Sequence, residues 1–132
     1  MDTDEERLNQ ITETIIGCAF KVCNVLGCGF AEKVYKNSLA HELQKSGLIV
    51  EKEKPIDVVY DGVVVGEYFA DMVVEGVVLI ELKSVRSLDD VHTAQCLNYL
   101  AATGIPICLL LNFGKRVDVK RFRNSPQTSA SI

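Results

Sequence analysis

The run Val77-Val78-Leu79-Ile80-Glu81-Leu82-Lys83 is apolar until its end, where Glu81 and Lys83 stand two positions apart. On an extended strand that spacing puts both side chains on one face, and an unpaired charge in an apolar layer is expensive. Two readings are open: an ion pair that neutralises itself or reaches water at the strand end, or a pair that performs chemistry. Asp71, between Ala70 and Met72 in the preceding extended segment, is a third candidate. A two-residue turn at Glu75-Gly76 would pair Val74 with Val77 and put Asp71 opposite Ile80, on the other face from Glu81. An odd-numbered loop or a bulge restores the shared face, and Gly76 can supply the left-handed residue for it. A functional pairing of Asp71 with Glu81 therefore predicts an irregular or odd connection at this hairpin.

Two carboxylates about 4 Å apart repel by about 4 kcal/mol at an effective dielectric near 20. A divalent cation removes that cost, and oxygen-only ligands favour Mg²⁺ or Mn²⁺ with waters completing the shell. Lys83 beside such an ion could orient or deprotonate a water, or steady the charge developing on a phosphate. The bland alternative is a surface Asp71 and an unrelated Glu81 at the edge of the core.

Further along, His92, Gln95 and Tyr99 recur at spacings of three and four, on one face of a helix. Tyr99 with a wet hydroxyl and Gln95 on a solvated face would explain those two without chemistry; His92 and His41 stand alone and read as non-catalytic. Glu32 falls in the first turn of another helix, where the macrodipole favours a carboxylate whatever its role. Tyr35, one turn on, can pack against it or enter the core.

The elements that must position these groups follow from periodicity. Ile11, Ile15, Ala19, Val22 and Leu26 give a stripe on a helix over 8–26, broken at Gly27-Cys28-Gly29. A second helix spans 31–45 and stops at Gly47. Residues 48–60 are extended, and Asp61-Gly62 between apolar runs signals a hairpin. Residues 67–74 continue as strand, and 77–83 suit a central strand covered on both faces. A third helix opens at Ser87, capped there with Asp90 three residues on, and ends at Gly104. Residues 105–113 form another buried strand and 117–122 an edge strand. Residues 124–132, rich in Ser, Thr, Pro and Gln, are expected to be a flexible tail behind a single domain over 1–123. The order α-α-β-β-β-α-β-β describes an α/β (α+β) chain, a mixed sheet flanked by helices.

Composition bounds the function. Hydrophobic residues make up 48% and charged residues 24%, an ordinary globular balance that excludes wholesale disorder. No apolar run reaches the roughly 18 residues of a membrane span. The opening MDTDEERLNQ is unlike a targeting peptide, so a cytoplasmic location and no membrane association are expected. Net charge is −4, but Asp2, Asp4, Glu5 and Glu6 supply four negatives, and the chain from Arg7 onward is neutral. A local basic face is offered by Lys115, Arg116, Lys120, Arg121 and Arg123 against Asp118, with Lys115 and Arg116 as candidate substrate contacts. This excludes tight passive coating of nucleic acid but not an enzyme that meets phosphate locally. Five cysteines, without a C-x-x-C or zinc spacing, read as reduced, mostly buried thiols.

The pattern Gly29-x-x-Glu32-x-x-Tyr35 resembles the signature of the GxxExxY proteins. The likeness runs over about residues 8–123 and takes in Ala70-Asp71, Glu81-Leu82-Lys83, Ala94-Gln95-x-x-x-Tyr99 and Leu110-Leu111-Asn112-Phe113. That family is placed in the PD-(D/E)xK nuclease superfamily, whose α-β-β-β-α-β core matches the order above with one extra N-terminal helix. The resemblance implies a restriction-endonuclease-like fold, with Asp71 and Glu81 as metal-binding acids and the Leu82 carbonyl as a further ligand. It implies Lys83 as the water-activating lysine and Glu32 as an additional helix-borne acid near the metal. Gln95 and Tyr99 match a helix motif bordering the site and the substrate phosphate. Ala70 stands where proline is often found, and Cys28 where proline is usual in the Gly-x-Gly turn.

The leading expectation is Mg²⁺- or Mn²⁺-dependent hydrolysis of phosphodiester bonds in DNA, or else RNA. The alternative is a nuclease-like fold that binds nucleic acid or a protein partner without turnover, motivated by the small size and net negative charge. A thiol redox or metal-storage role for the cysteines ranks last. A compact nuclease often needs a second subunit to grip a duplex, which leaves a homodimer open.

Overall fold

The computed structural model describes residues 3–124; the tail expected at 124–132 lies, but for Asn124, outside the described residues. Eight elements follow in order: α1 (Thr3–Leu26), α2 (Glu32–Lys45), β1 (Val50–Tyr60), β2 (Val63–Val74), β3 (Val78–Lys83), α3 (Asp90–Thr103), β4 (Ile107–Phe113) and β5 (Val117–Arg123). The strands form one sheet in the order β1-β2-β3-β4-β5. The α3 crossover makes β3 and β4 parallel, while the other neighbours are antiparallel.

The two apolar runs are explained by their place. β4 is buried along its whole length, and β3 up to Lys83, because helices cover both faces of the sheet centre. On one face α1 lays down Leu8, Ile11, Ile15, Ala19 and Val22, and α2 adds Tyr35, Leu39 and Leu43, against Met72, Ile80, Leu82 and Leu111. On the other face Cys96, Tyr99 and Leu100 of α3 meet Ile56, Ala70, Leu79 and Leu110. The five cysteines are free thiols; Cys23, Cys96 and Cys108 are buried and Cys28 is exposed.

Two helix starts differ from expectation. α1 begins five residues earlier, at Thr3; Asp4, Glu5 and Glu6 in its first turn suit the helix dipole but carry no apolar period to announce a helix. The cap of α3 is Asp89, not Ser87: its carboxylate accepts from the Val91 N–H at 2.9 Å, and His92 Nδ1 accepts from the Asp89 N–H at 3.1 Å. That reciprocal arrangement gives His92 a capping role.

Tyr35 explains much of the Gly-x-x-Glu-x-x-Tyr pattern. Its fully buried ring stacks on Phe113 at a centroid distance of 4.7 Å. Its hydroxyl donates to the Gly27 carbonyl at 2.6 Å and accepts from the Phe30 N–H at 3.3 Å. The turn thus pinned contains Gly29 at φ 103°, a conformation that favours glycine, and it fixes where α2 and Glu32 begin.

Candidate active site

The hairpin joining β2 to β3 has the odd connection that a pairing of Asp71 with Glu81 requires. Val74 pairs with Val78, so the loop is Glu75-Gly76-Val77, with Glu75 at φ 53° and Gly76 at φ 69°. Glu75 is held by the Ile49 N–H at 2.6 Å and Arg7 Nη2 at 3.1 Å. One step beyond the last ladder pair, Met72 with Ile80, this register sets Asp71 opposite Glu81.

A second irregularity lies across the first. Met72 and Val74 point into the α1/α2 core, whereas Ala70 joins Val73 in the α3 core, so the alternation of β2 reverses at Asp71. β1 reverses at the matching place: Val50 packs with the α1/α2 core and Ile56 with the α3 core, and Glu53 between them has φ 52°. The β1–β2 ladder skips Glu53 and Asp71. Asp71 is thereby freed from strand pairing and turned to β3. Its N–H donates to Glu81 Oε1 at 3.2 Å, and its Oδ2 accepts from the Leu82 N–H at 2.8 Å. In an extended strand the N–H and C=O of one residue face the same neighbour, so the Leu82 carbonyl also faces the gap between β2 and β3.

Glu81 is 3% exposed. Burial, and then the negative charge of Asp71, push its carboxyl pKa up to about 8, and nearby Lys83 offsets only a small part of this. The cost of ionising Glu81 here is what a cation relieves. Two carboxylates and a carbonyl are a hard oxygen set suited to a divalent ion that keeps several waters, and the residues fit such an ion. From the α2 side, Lys36 Nζ lies 3.4 Å from Asp71 Oδ1 and 3.4 Å from Glu53 Oε1. Partial burial works against the Lys36 charge, yet Asp71 and Glu53 outweigh it and hold its pKa above the ordinary lysine value.

Lys83, Gln95 and Tyr99 line one groove between α3 and the β1–β2 arm. Gln95 Nε2 donates to the Tyr99 hydroxyl at 3.0 Å. Burial raises the Tyr99 pKa, with Glu81, Tyr68 and Asp71 adding to the effect, so the phenol keeps its proton and can donate. Glu32 is exposed in the first turn of α2, one turn before Lys36 on the same helix face. Among the described residues no group of three His, Cys, Asp or Glu side chains could hold a metal ion, so Glu32 does not complete a three-acid cluster with Asp71 and Glu81. Lys115 and Arg116 are exposed in the turn after β4. They stand at the same sheet end as Lys83, which pairs with Asn112 of β4, and no contact joins them to the acids.

Two further residues, Lys36 and the Asn112 of the Leu110-Leu111-Asn112-Phe113 run, support this constellation. Lys36 holds Asp71 from α2, with Nζ 3.4 Å from Oδ1. Asn112 is 1% exposed; its Oδ1 accepts from the Val85 N–H at 2.9 Å and its Nδ2 donates to the Val85 carbonyl at 2.9 Å. This clamp fixes the segment that leaves β3 just after Lys83. Replacing Asn112 by leucine strands both Val85 groups, and the expected cost is about 2 kcal/mol, checked by urea unfolding.

A family model described as the PD-(D/E)XK nuclease superfamily matches residues 9–122. No curated protein is significantly similar in sequence. Among solved structures, the alkaline exonuclease LHK-Exo from Laribacter hongkongensis superposes with TM-score 0.55 at 17% identity, over 95% of this chain and 73% of that one. LHK-Exo in complex with dAMP gives TM-score 0.51 at 16% identity, over 81% and 76%. The structure titled SSO0001 gives 0.52 at 19% identity, over 76% of this chain and 53% of that one, so the chain spans about half of that protein. These likenesses show a restriction-endonuclease-like fold. Among the described residues no helix is long and apolar enough to cross a membrane. With residues 9–122 matched by the family model, the chain belongs to the PD-(D/E)XK nuclease superfamily.

Proposed function

We propose that the protein is a divalent-metal-dependent nuclease that hydrolyses phosphodiester bonds, with DNA as the first substrate to test and RNA as the second. The observation that carries this reading is the juxtaposition at the β2–β3 gap: the Asp71 N–H donates to the carboxylate of the buried Glu81, the Asp71 carboxylate accepts from the Leu82 N–H, and the Lys83 charge is near Glu81. Members of the superfamily generally use divalent metals, and Mg²⁺ or Mn²⁺ suits the oxygen donors of Asp71, Glu81 and Leu82. The Gly29-x-x-Glu32-x-x-Tyr35 pattern supports a place among the GxxExxY proteins.

When bound, the ion supplies Lewis-acid polarisation and a water of lowered pKa. Asp71 and Glu81 hold it, and Lys36 keeps Asp71 turned to the gap. Lys83 presents its ammonium group where negative charge grows on the phosphate. Tyr99, held by Gln95, offers a hydroxyl proton to a phosphate oxygen. Glu32, exposed in the first turn of α2, is the additional acid that the GxxExxY likeness would place near the ion. Lys115 and Arg116 meet phosphates of the strand outside the site. The turnover-free alternative draws on the net charge of −4, which gives weak electrostatic attraction to nucleic acid.

Plasmid and single-stranded DNA incubated with Mg²⁺ or Mn²⁺ should be cleaved by the wild-type chain and not by Asp71→Ala or Lys83→Ala. Equal cleavage by all three would assign the activity to a contaminant. Mn²⁺ binding without cleavage of DNA or RNA would favour a binding module. Light scattering tests the homodimer, and localisation in the cytoplasm remains part of the same proposal.

A further inference from the structure

The groove between α3 and the β1–β2 arm has a volume of about 1040 Å³. Lys83 and Tyr99 open onto it, so it runs from the candidate centre outward along the arm. Its walls are nearly uncharged: apart from His92, Lys83 and Asp57 are the ionisable groups of opposite sign that line it. A path for a duplex backbone needs a row of cations; this groove instead offers aromatic, amide and aliphatic groups.

Tyr68 is its most exposed aromatic wall. Gly66 and Tyr68 lie on one strand face, and a Cβ at Gly66 would come within 3.3 Å of the Tyr68 ring. The ring therefore lies back over Gly66, in the space a side chain would fill. It lies tilted against Tyr99, at a centroid distance of 5.9 Å and an interplanar angle of 50°. Tyr68 nonetheless remains 50% exposed. An aromatic ring braced on one face and open on the other is a stacking platform for a planar group.

We infer that this groove takes an unpaired stretch of nucleic acid, with a nucleobase stacked on Tyr68 and its phosphate directed to Lys83. The inference rests on the nuclease reading and narrows its substrate class to single strands or frayed ends. In a duplex each base face is covered by the next pair and offers Tyr68 nothing to stack on. The recess, at the upper end of ordinary small-ligand sites, suits a few nucleotides.

The test is fluorescence anisotropy with labelled dT₈, U₈ and a closed DNA hairpin duplex, in chelator so that no cleavage intervenes. The wild-type chain should bind at least one single strand about tenfold more tightly than the duplex. Tyr68→Ala should weaken that binding about 5- to 100-fold, and Tyr68→Phe, which keeps the ring, should retain it. Comparison of dT₈ with U₈ identifies the sugar preferred. Equal binding by wild type and Tyr68→Ala, or tighter binding of the duplex, overturns the inference. The two readings fail separately: metal-dependent cleavage with KM unchanged in Tyr68→Ala removes the groove but leaves the nuclease. Tyr68-dependent binding with no cleavage in Mg²⁺ or Mn²⁺ removes the nuclease but leaves the groove.

Discussion

Asp71→Asn is expected to lower metal-dependent phosphodiester cleavage by about 10³-fold, and Lys83→Met by about 10²- to 10³-fold, the range seen when one electrostatic contributor to a transition state is lost. The asparagine keeps an oxygen for the Leu82 N–H, which Asp71 now satisfies at 2.8 Å, so the strand gap is preserved while a formal charge is removed from the ion's ligands. The methionine keeps the aliphatic stem of Lys83 in the groove and removes only the ammonium group. Both proteins should unfold within about 1 kcal/mol of the wild type, because neither leaves a buried donor without an acceptor. Single-turnover cleavage of a labelled oligonucleotide reads the chemical step. The double variant should be little worse than Asp71→Asn alone, since groups that act on one transition state are not additive. Wild-type rates in either single variant would remove the β2–β3 gap from the chemistry altogether.

The sequence discloses the strands of this site better than its side-chain directions. β3 and β4 are legible because they lack a polar face, and the only arrangement that hides a strand on both sides is the middle of a covered sheet. Strand parity goes further: a shared face for Asp71 and Glu81 demands an odd hairpin loop or a bulge, and the loop Glu75-Gly76-Val77 has three residues. The reversal of β1 and β2 at Glu53 and Asp71 has no local sign. Glu53 is not a glycine, yet it adopts φ 52°, and its carboxylate meets Lys36 of α2 at 3.4 Å. Lys36 is invisible for the same reason, since its partners come from two strands that only the fold brings together. Ser87 and Asp89 are both good caps by type; His92, three residues after Asp89, decides between them. Glu32 can be placed on a helix turn from sequence, but how far α2 tilts from the sheet decides whether it joins the acids, and propensity says nothing of tilt.

Glu81 should make the metal-free protein less stable as pH rises. Its folded pKa of about 8 stands above the ordinary carboxyl value of 4.5. Between those values the folded chain holds a proton that the unfolded chain has released. Stability is therefore fully present below about pH 4.5, declines by about 1.4 kcal/mol per unit through the interval, and stops declining above the folded pKa. From pH 5.5 to 7.5 the expected loss is about 3 kcal/mol, measured as urea unfolding in chelator. Glu81→Gln is neutral throughout, its amide oxygen still accepts from the Asp71 N–H, and it should flatten this dependence and exceed the wild type in stability at pH 7.5. Removing a charge would then stabilise the fold while abolishing cleavage, the opposite signs that mark a group kept for function. A flat wild-type profile would mean instead that Glu81 is ionised in the fold and balanced by Lys83. The two charges at the end of β3 would then be an ion pair and the cation would have no reason to be there.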